Sequence, residues 1–243
     1  MRLDVWLEAE GRVPSRARAR DLVRQGAVSI NGAVETKPSR TVPPGATVQL
    51  DSAASRYVSR AAQKLIAGLD HFGFDPSGMM ALDVGASTGG FTQVLLDRGA
   101  ARIYAVDVGR DQLHRTLRQD PRVVSLEATD ARALDDTIIP VPVQMIVSDV
   151  SFISLTKALP RALTFAAPGA VLLALVKPQF EVGRERIGKG GIVRDAAARN
   201  DAIEAVCAFV DGTPGWQVIG TAPSPLSGGD GNLESLIGAR FAP

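Results

Sequence analysis

The sequence predicts an α/β fold, a mostly parallel seven-stranded sheet covered by helices, with a small α+β unit in front of it. Three observations lead there. From Met79 onward short apolar runs alternate with helical patterns, the mark of a parallel sheet buried on both faces. At the head of that series, Leu82 to Thr92 reads as a buried strand, a glycine-rich turn and a helix start. Charge is also divided unevenly: the first sixty residues hold ten Lys/Arg against six Asp/Glu, the rest seventeen against twenty, although the 243-residue chain carries only +1. A chain of this length buries a full α/β core and still carries a small extra domain. The expected division is 1–57 and 58–243.

In the first unit, Leu3, Val5, Trp6 and Leu7 give an apolar helix that Gly11 ends. Pro14-Ser15 starts a second helix, in which Ala17, Ala19, Leu22 and Val23 face inward and Arg16, Arg18, Arg20 and Arg24 crowd the remaining surface. Gly26 then supplies the residue past its end. Val28-Ser29-Ile30, Asn31-Gly32 and Val34 read as a hairpin with a type I′ turn. Thr47 to Leu50 forms a further short strand, and the small, polar segment Asp51 to Tyr57 is a linker. A basic helix beside a small hairpin is an electrostatic footprint for a phosphate backbone. The alternative is a solvated arginine face on a protein-binding domain. Ser15 to Val23, Gly26 and Val28 to Gly32 resemble the αL RNA-binding module of a small-subunit ribosomal protein and of pseudouridine synthases. That resemblance implies RNA contact through Arg16, Arg18, Arg20 and Arg24, and Arg60 and Lys189 extend the basic set.

In the second unit, Ser59 opens an amphipathic helix running to about Phe72, in which Lys64 alone would pass for a surface residue. Strands are expected near 79–84, 102–107, 122–126, 144–149, 170–176, 216–221 and 234–239, and helices near 90–98, 110–118, 154–166 and 196–211. Ligands bind beyond the carboxyl ends of such strands. There the fourth strand delivers Asp149 and the fifth Lys177, close enough to pair, whether as a structural ion pair or as chemistry. Gly183 to Asp195, with Arg184, Arg186 and Lys189 among its glycines, reads either as a mobile loop able to close over a ligand or as a surface loop with solvated charges.

The glycine turn fits neither common phosphate loop: Ser87 breaks the dinucleotide fingerprint, and no lysine follows Gly90 as a P-loop requires. Gly85, Gly89 and Gly90 clear side chains from the backbone, and the next helix offers unpaired N–H groups. Asp83 puts a carboxylate where a pyrophosphate reader would avoid one. Asp107 stands about twenty residues after Gly85, where an acid takes the hydroxyls of a ribose, and Asp130 can reach an adenine amino group. Three strand ends carrying acids favour S-adenosylmethionine, a nucleoside with a cationic sulfonium. Asp83, Gly85, Ala86, Ser87, Thr88, Gly89, Gly90, Phe91, Asp107, Val108, Asp130, Ala131 and Asp149 are the candidate cofactor contacts. An ordinary strand–turn–helix connection with surface acids is the alternative.

Cys207 is the only cysteine, His71 and His114 the only histidines, so neither a disulfide framework nor a His/Cys zinc pattern is written in the chain, and no metal is expected. Cys207 lies in the apolar helical run Ala202 to Val210 and reads as core. The N-terminus lacks an apolar signal segment, and Pro168 and Gly169 break the longest apolar runs short of a spanning length. A cytoplasmic protein without a membrane partner is expected, as monomer or homodimer.

Gly85 to Thr92, Asp149-Val150-Ser151-Phe152-Ile153-Ser154, Val176-Lys177-Pro178-Gln179-Phe180-Glu181 and Gly188 to Asp195 together resemble the TlyA (haemolysin A) family of rRNA 2′-O-methyltransferases. The match runs through nearly the whole chain. It implies an αL module coupled to an FtsJ-like, Rossmann-type methyltransferase domain, S-adenosyl-L-methionine as cofactor, and a Lys-Asp-Lys-Glu tetrad falling on Lys64, Asp149, Lys177 and Glu234. Ala61-Ala62 departs from a glycine pair usual in the family, Asp130 from an asparagine and Ser235 from an aromatic. The implied substrate is a cytidine of ribosomal RNA or of a ribosomal subunit. By its short ends the chain resembles the group acting on the large subunit alone.

Chemistry asks for such residues. A ribose hydroxyl is a poor nucleophile, so methyl transfer needs it positioned and its proton taken or attracted. A lysine is a base only when neutral; burial and a second cation favour that state and acids oppose it. Lys177 is therefore expected to be base or hydroxyl orienter, with Lys64 beside it and Asp149 and Glu234 holding both ammonium groups. The rivals are an RNA-binding protein with a non-catalytic cofactor domain, a haemolysin, and a nicotinamide-dependent reductase on the same fold.

Overall fold

The computed structural model describes residues 1–13, 15–24, 26–51, 56–228 and 230–243. The helix start expected at Pro14 and most of the linker expected over 51–57 lie outside the described residues. Two units are resolved by their contacts, Met1–Arg60 and Ala61–Pro243.

In the first unit α1 (Leu3–Ala9) packs on α2 (Arg16–Arg24). β1 (Val28–Ile30) lies between β2 (Ala33–Val34) and β3 (Val48–Leu50), antiparallel to both. Asn31 and Gly32 have φ of 52° and 81°, the positive pair that a type I′ turn requires. Leu3, Leu7, Ala19, Leu22, Val23 and Val28 form the core. Ala17, expected to face inward, is exposed, while Arg18 is half-buried, because the helix turns its 19–22–23 stripe to α1. Asp4 is fully buried, its carboxylate taking Arg2 Nε at 2.9 Å and Arg16 Nε at 3.0 Å.

The second unit is a seven-stranded sheet in the order β6-β5-β4-β7-β8-β10-β9. Its strands are β4 (Met80–Val84), β5 (Arg102–Val106), β6 (Val123–Leu126), β7 (Val143–Ser148), β8 (Ala166–Val176), β9 (Trp216–Pro223) and β10 (Ser235–Phe241). The first five run parallel, and β10 is antiparallel to both neighbours. Chain direction across the sheet reverses at β4, so its carboxyl end and that of β7 flank the crevice where such folds bind ligands.

The helices are α3 (Ala61–Phe72), α4 (Gly90–Asp97), α5 (Arg115–Arg118), α6 (Leu155–Ala158), α7 (Pro160–Leu163), α8 (Pro178–Glu181) and α9 (Ala196–Asp211). Two expectations shrink. The helix expected over 110–118 keeps only its last turn: Asp111 sits at φ 53°, and Glu127 Oε1 takes the N–H groups of Gln112 and Leu113 at 2.6 and 3.1 Å. The helix expected over 154–166 divides at Pro160, which lacks the N–H to continue a ladder but suits the first position of a new one. Over β8 and β10, close approach depends on missing side chains: a Cβ on Gly68 would lie 2.7 Å from Leu173, and one on Gly238 would lie 2.7 Å from Phe72. Through these contacts α3 lies flat against the sheet, and Lys64, one turn before Gly68, shares its inward face. Among the described residues, no helix is long and apolar enough to cross a membrane.

Candidate active site

The turn after β4 is shaped by its neighbours. Gly85 and Ala86 donate their N–H groups to Val106 O at 2.9 and 3.0 Å, tying the turn to β5. Gly85 has φ 88°, and a Cβ there would come within 3.0 Å of Asp149 O and Val150, so only glycine fits between the mouths of β4 and β7. Asp107 closes the turn from the other side, its carboxylate accepting from Ser87 N at 2.8 Å and Gly109 N at 2.7 Å.

A cavity of about 670 Å³ opens over these strand ends. Of the residues predicted to touch a cofactor, Gly85, Ser87, Asp107, Val108, Asp130, Ala131 and Asp149 line it. Asp83, Ala86, Thr88, Gly89, Gly90 and Phe91 do not: Phe91 is core, and Asp83 lies fully buried beneath the turn. Thr92 Oγ1 donates to Asp83 Oδ2 at 2.6 Å, while Asp83 Oδ1 has no partner. Burial, with the charges of Asp149 and Asp107 adding to it and the Thr92 bonds opposing it, pushes the Asp83 carboxyl up to about 7. Asp130 is engaged by its neighbour: Arg132 Nε and Nη2 reach its two oxygens at 3.0 and 2.6 Å and hold the carboxyl below its ordinary value.

Lys64, Asp149, Lys177 and Glu234 come together, although they lie on α3, after β7, after β8 and before β10. Lys64 Nζ donates to Glu234 Oε2 at 2.5 Å. Lys177 Nζ lies 2.6 Å from Asp149 Oδ1 and donates to Ser151 Oγ at 2.8 Å. The pairs also sense each other: burial pushes the Glu234 carboxyl up, Lys64 and Lys177 pull it down, and Asp149 raises it. Both lysines are nine-tenths buried, which is costly for an ammonium unless an acid faces it. The cavity meets this group at Asp149 and Ser151.

Sequence reasoning passed over Phe152. Its side chain is 92% exposed at the cavity rim, its backbone has φ 67°, and its ring lies 5.3 Å from that of Phe180. A positive φ is unfavourable for so bulky a residue. An aromatic three residues after the strand-end acid was the available signal.

The predicted RNA contacts divide. Arg20 and Arg24 are exposed on α2, and Arg16, also exposed, spends its guanidinium on Asp4. Arg18 and Arg60 are half-buried within the first unit. Lys189 is exposed in the second unit, in a turn closed by Gly188 N to Ile192 O at 3.0 Å. Asn232 fixes that turn, donating to Gly191 O and accepting from Val193 N, both at 2.9 Å.

Comparison with known proteins identifies the family. The FtsJ-like methyltransferase family matches residues 57–241, and the S4 domain matches 1–48. The chain is 44% identical to the 16S/23S rRNA (cytidine-2′-O)-methyltransferase TlyA of Mycobacterium tuberculosis, over 98% of this chain and 89% of that protein. It is 38% identical to the 23S rRNA (cytidine-2′-O)-methyltransferase TlyA of Campylobacter jejuni, over 77% and 72%. A solved structure described as a hemolysin from Streptococcus thermophilus superposes with a TM-score of 0.77 at 40% identity, covering 100% of this chain and 88% of that one. The chain belongs to the TlyA family of FtsJ-like methyltransferases.

Proposed function

We propose that the chain methylates the 2′-hydroxyl of a cytidine ribose in ribosomal RNA, using S-adenosyl-L-methionine and favouring the 23S RNA of the large subunit over 16S. The observation that carries this reading is the meeting of two lysines and two acids at strand mouths, beside a cavity that reaches them through Asp149. The names of two relatives support the substrate, since both specify 23S RNA and one adds 16S. Such a substrate places the protein in the cytoplasm, with residues 1–57 as the RNA-binding unit and linker.

The cavity suits the cofactor, and its volume falls within the roughly 300–1,000 Å³ of small-molecule sites. Asp107, held by two backbone N–H groups, keeps lone pairs for ribose hydroxyls, and Val108, 71% exposed, offers an apolar face to a base. Gly85 and Ser87 let the ligand reach the backbone; Ala86, Thr88, Gly89, Gly90 and Phe91 hold the turn from behind. Asp130 and Ala131 stand at the adenine end, where Arg132 shares the Asp130 carboxylate. Bound there, the cofactor supplies a methyl group activated by its sulfonium.

Lys177 orients the ribose hydroxyl and, when neutral, takes its proton; Asp149 holds the resulting ammonium. Glu234 holds Lys64 in the same way. Phe152 gives the cytosine a face on which to stack. Mapping 2′-O-methyl marks in rRNA from cells with and without the gene tests the reading. Loss of the mark at a cytidine of 23S RNA is expected; loss confined to base methyls or to 16S RNA would overturn it.

A further inference from the structure

We infer that Glu181 is a positioning residue for methyl transfer, one whose carboxylate pins the far end of the Asp149–Ser154 segment to the segment that begins with Lys177. This inference rests on the reading of the site just given. Ser154 Oγ donates to Glu181 Oε2 at 2.5 Å, and Leu155 N donates to Oε1 at 2.9 Å. Lys177 and Glu181 stand four residues apart across the single turn of α8, a spacing that brings side chains onto one face. The two segments are therefore joined three times: Lys177 to Asp149 and Ser151, Phe180 to Phe152, and Glu181 to Ser154 and Leu155.

Holding is needed there. Phe152 sits at φ 67°, a conformation that persists in a bulky residue only when its surroundings fix it. Asp149 N donates to Val84 O at 3.2 Å, which secures the start of the segment, and Glu181 secures its end. Ser154 in turn caps α6 through Thr156 N at 3.1 Å, so one carboxylate sets both the segment and the helix that follows. No ion pair among the described residues involves Glu181. Its half-buried carboxyl rests on neutral donors, and burial pushes it up while they pull it down. A group that loses hydration without gaining a cation is an expensive way to add stability, whereas two oxygens placed to accept from consecutive residues fix the geometry of a loop.

The test uses the full chain and the variants E181A and E181Q, with labelled methyl transfer to ribosomal subunits, equilibrium binding of S-adenosylmethionine, and amide hydrogen exchange. E181A is expected to lower kcat about a hundredfold, the cost of an ångström-scale misplacement. Exchange should quicken at 149–155 and 178–182 but not in β4 or β5. E181Q, which still accepts from Leu155 N and donates to Ser154 Oγ, is expected to recover kcat to within about fivefold, a rescue that a need for charge would forbid. Wild-type kcat in E181A, or exchange rising equally throughout the sheet, overturns the inference. Near-normal turnover by K177A would instead sink the reading of the site, and the local exchange pattern of E181A judges the positioning role even then.

Discussion

Asp83 offers a quantitative prediction, since it combines full burial, an oxygen without a partner and a carboxyl raised from 3.8 to about 7. Between those values the folded chain keeps a proton that the unfolded chain has released, so stability falls as pH rises through the window. Complete ionisation of a group so shifted costs about 4 kcal/mol. About half of that is already present at pH 5, and the rest accrues by pH 8. Asp83→Asn removes this dependence while keeping an acceptor for Thr92, but it puts an unpaired amide nitrogen in place of Oδ1, at about 1–3 kcal/mol. Relative to wild type, the variant is expected to be near neutral at pH 5 and about 2 kcal/mol more stable at pH 8. Urea denaturation of the full chain followed by circular dichroism at a series of pH values measures this. A difference that stays flat to within about 1 kcal/mol from pH 5 to 8 would refute the buried-acid argument.

Four further outcomes are expected. Lys64→Met leaves Glu234 buried beside Lys177 alone and should cost about 3–5 kcal/mol, with the Lys64→Met, Glu234→Gln double variant recovering part of it; a double-mutant cycle by denaturation reads the coupling. Arg16→Ala should lower stability by about 1–3 kcal/mol at pH 7 because buried Asp4 loses a donor. Asp4 is drawn down to about 2 chiefly by its bond to Arg2, so this contribution is present above pH 3.8 and lost as pH falls toward 2. Arg20→Ala, by contrast, should weaken RNA binding in a filter assay and leave melting unchanged. Asp107→Ala should weaken S-adenosylmethionine by at least about tenfold in calorimetry, since it removes both the ribose acceptor and the anchor of Ser87 and Gly109.

The middle of the sheet was legible because its strands are largely apolar runs, as a parallel strand buried on both faces must be. The hairpin was legible because Asn-Gly has few other uses between two apolar runs. Helix lengths were not, wherever a distant group competed: Glu127 takes the N–H groups that a helix from 110 would use, and nothing near 110 announces that. Asp149 and Lys177 could be placed at adjacent strand ends from spacing alone. Lys64 and Glu234 came from the family resemblance, because their pairing spans 170 positions and depends on Gly68 and Gly238 admitting α3 to the sheet. Asp4 and Glu181 carry no periodic signal, and each looks solvated until its partners, Arg16 and the Ser154–Leu155 turn, are brought to it.

The most direct measurement is transfer of labelled methyl groups to ribosomal subunits lacking the mark, by wild type and Lys177→Ala, with S-adenosylmethionine affinity measured alongside. Label at the 2′-oxygen of a 23S cytidine is expected with wild type and none with Lys177→Ala, at cofactor affinities within about threefold of each other. Near-normal turnover by Lys177→Ala, or label on a base, would contradict the account.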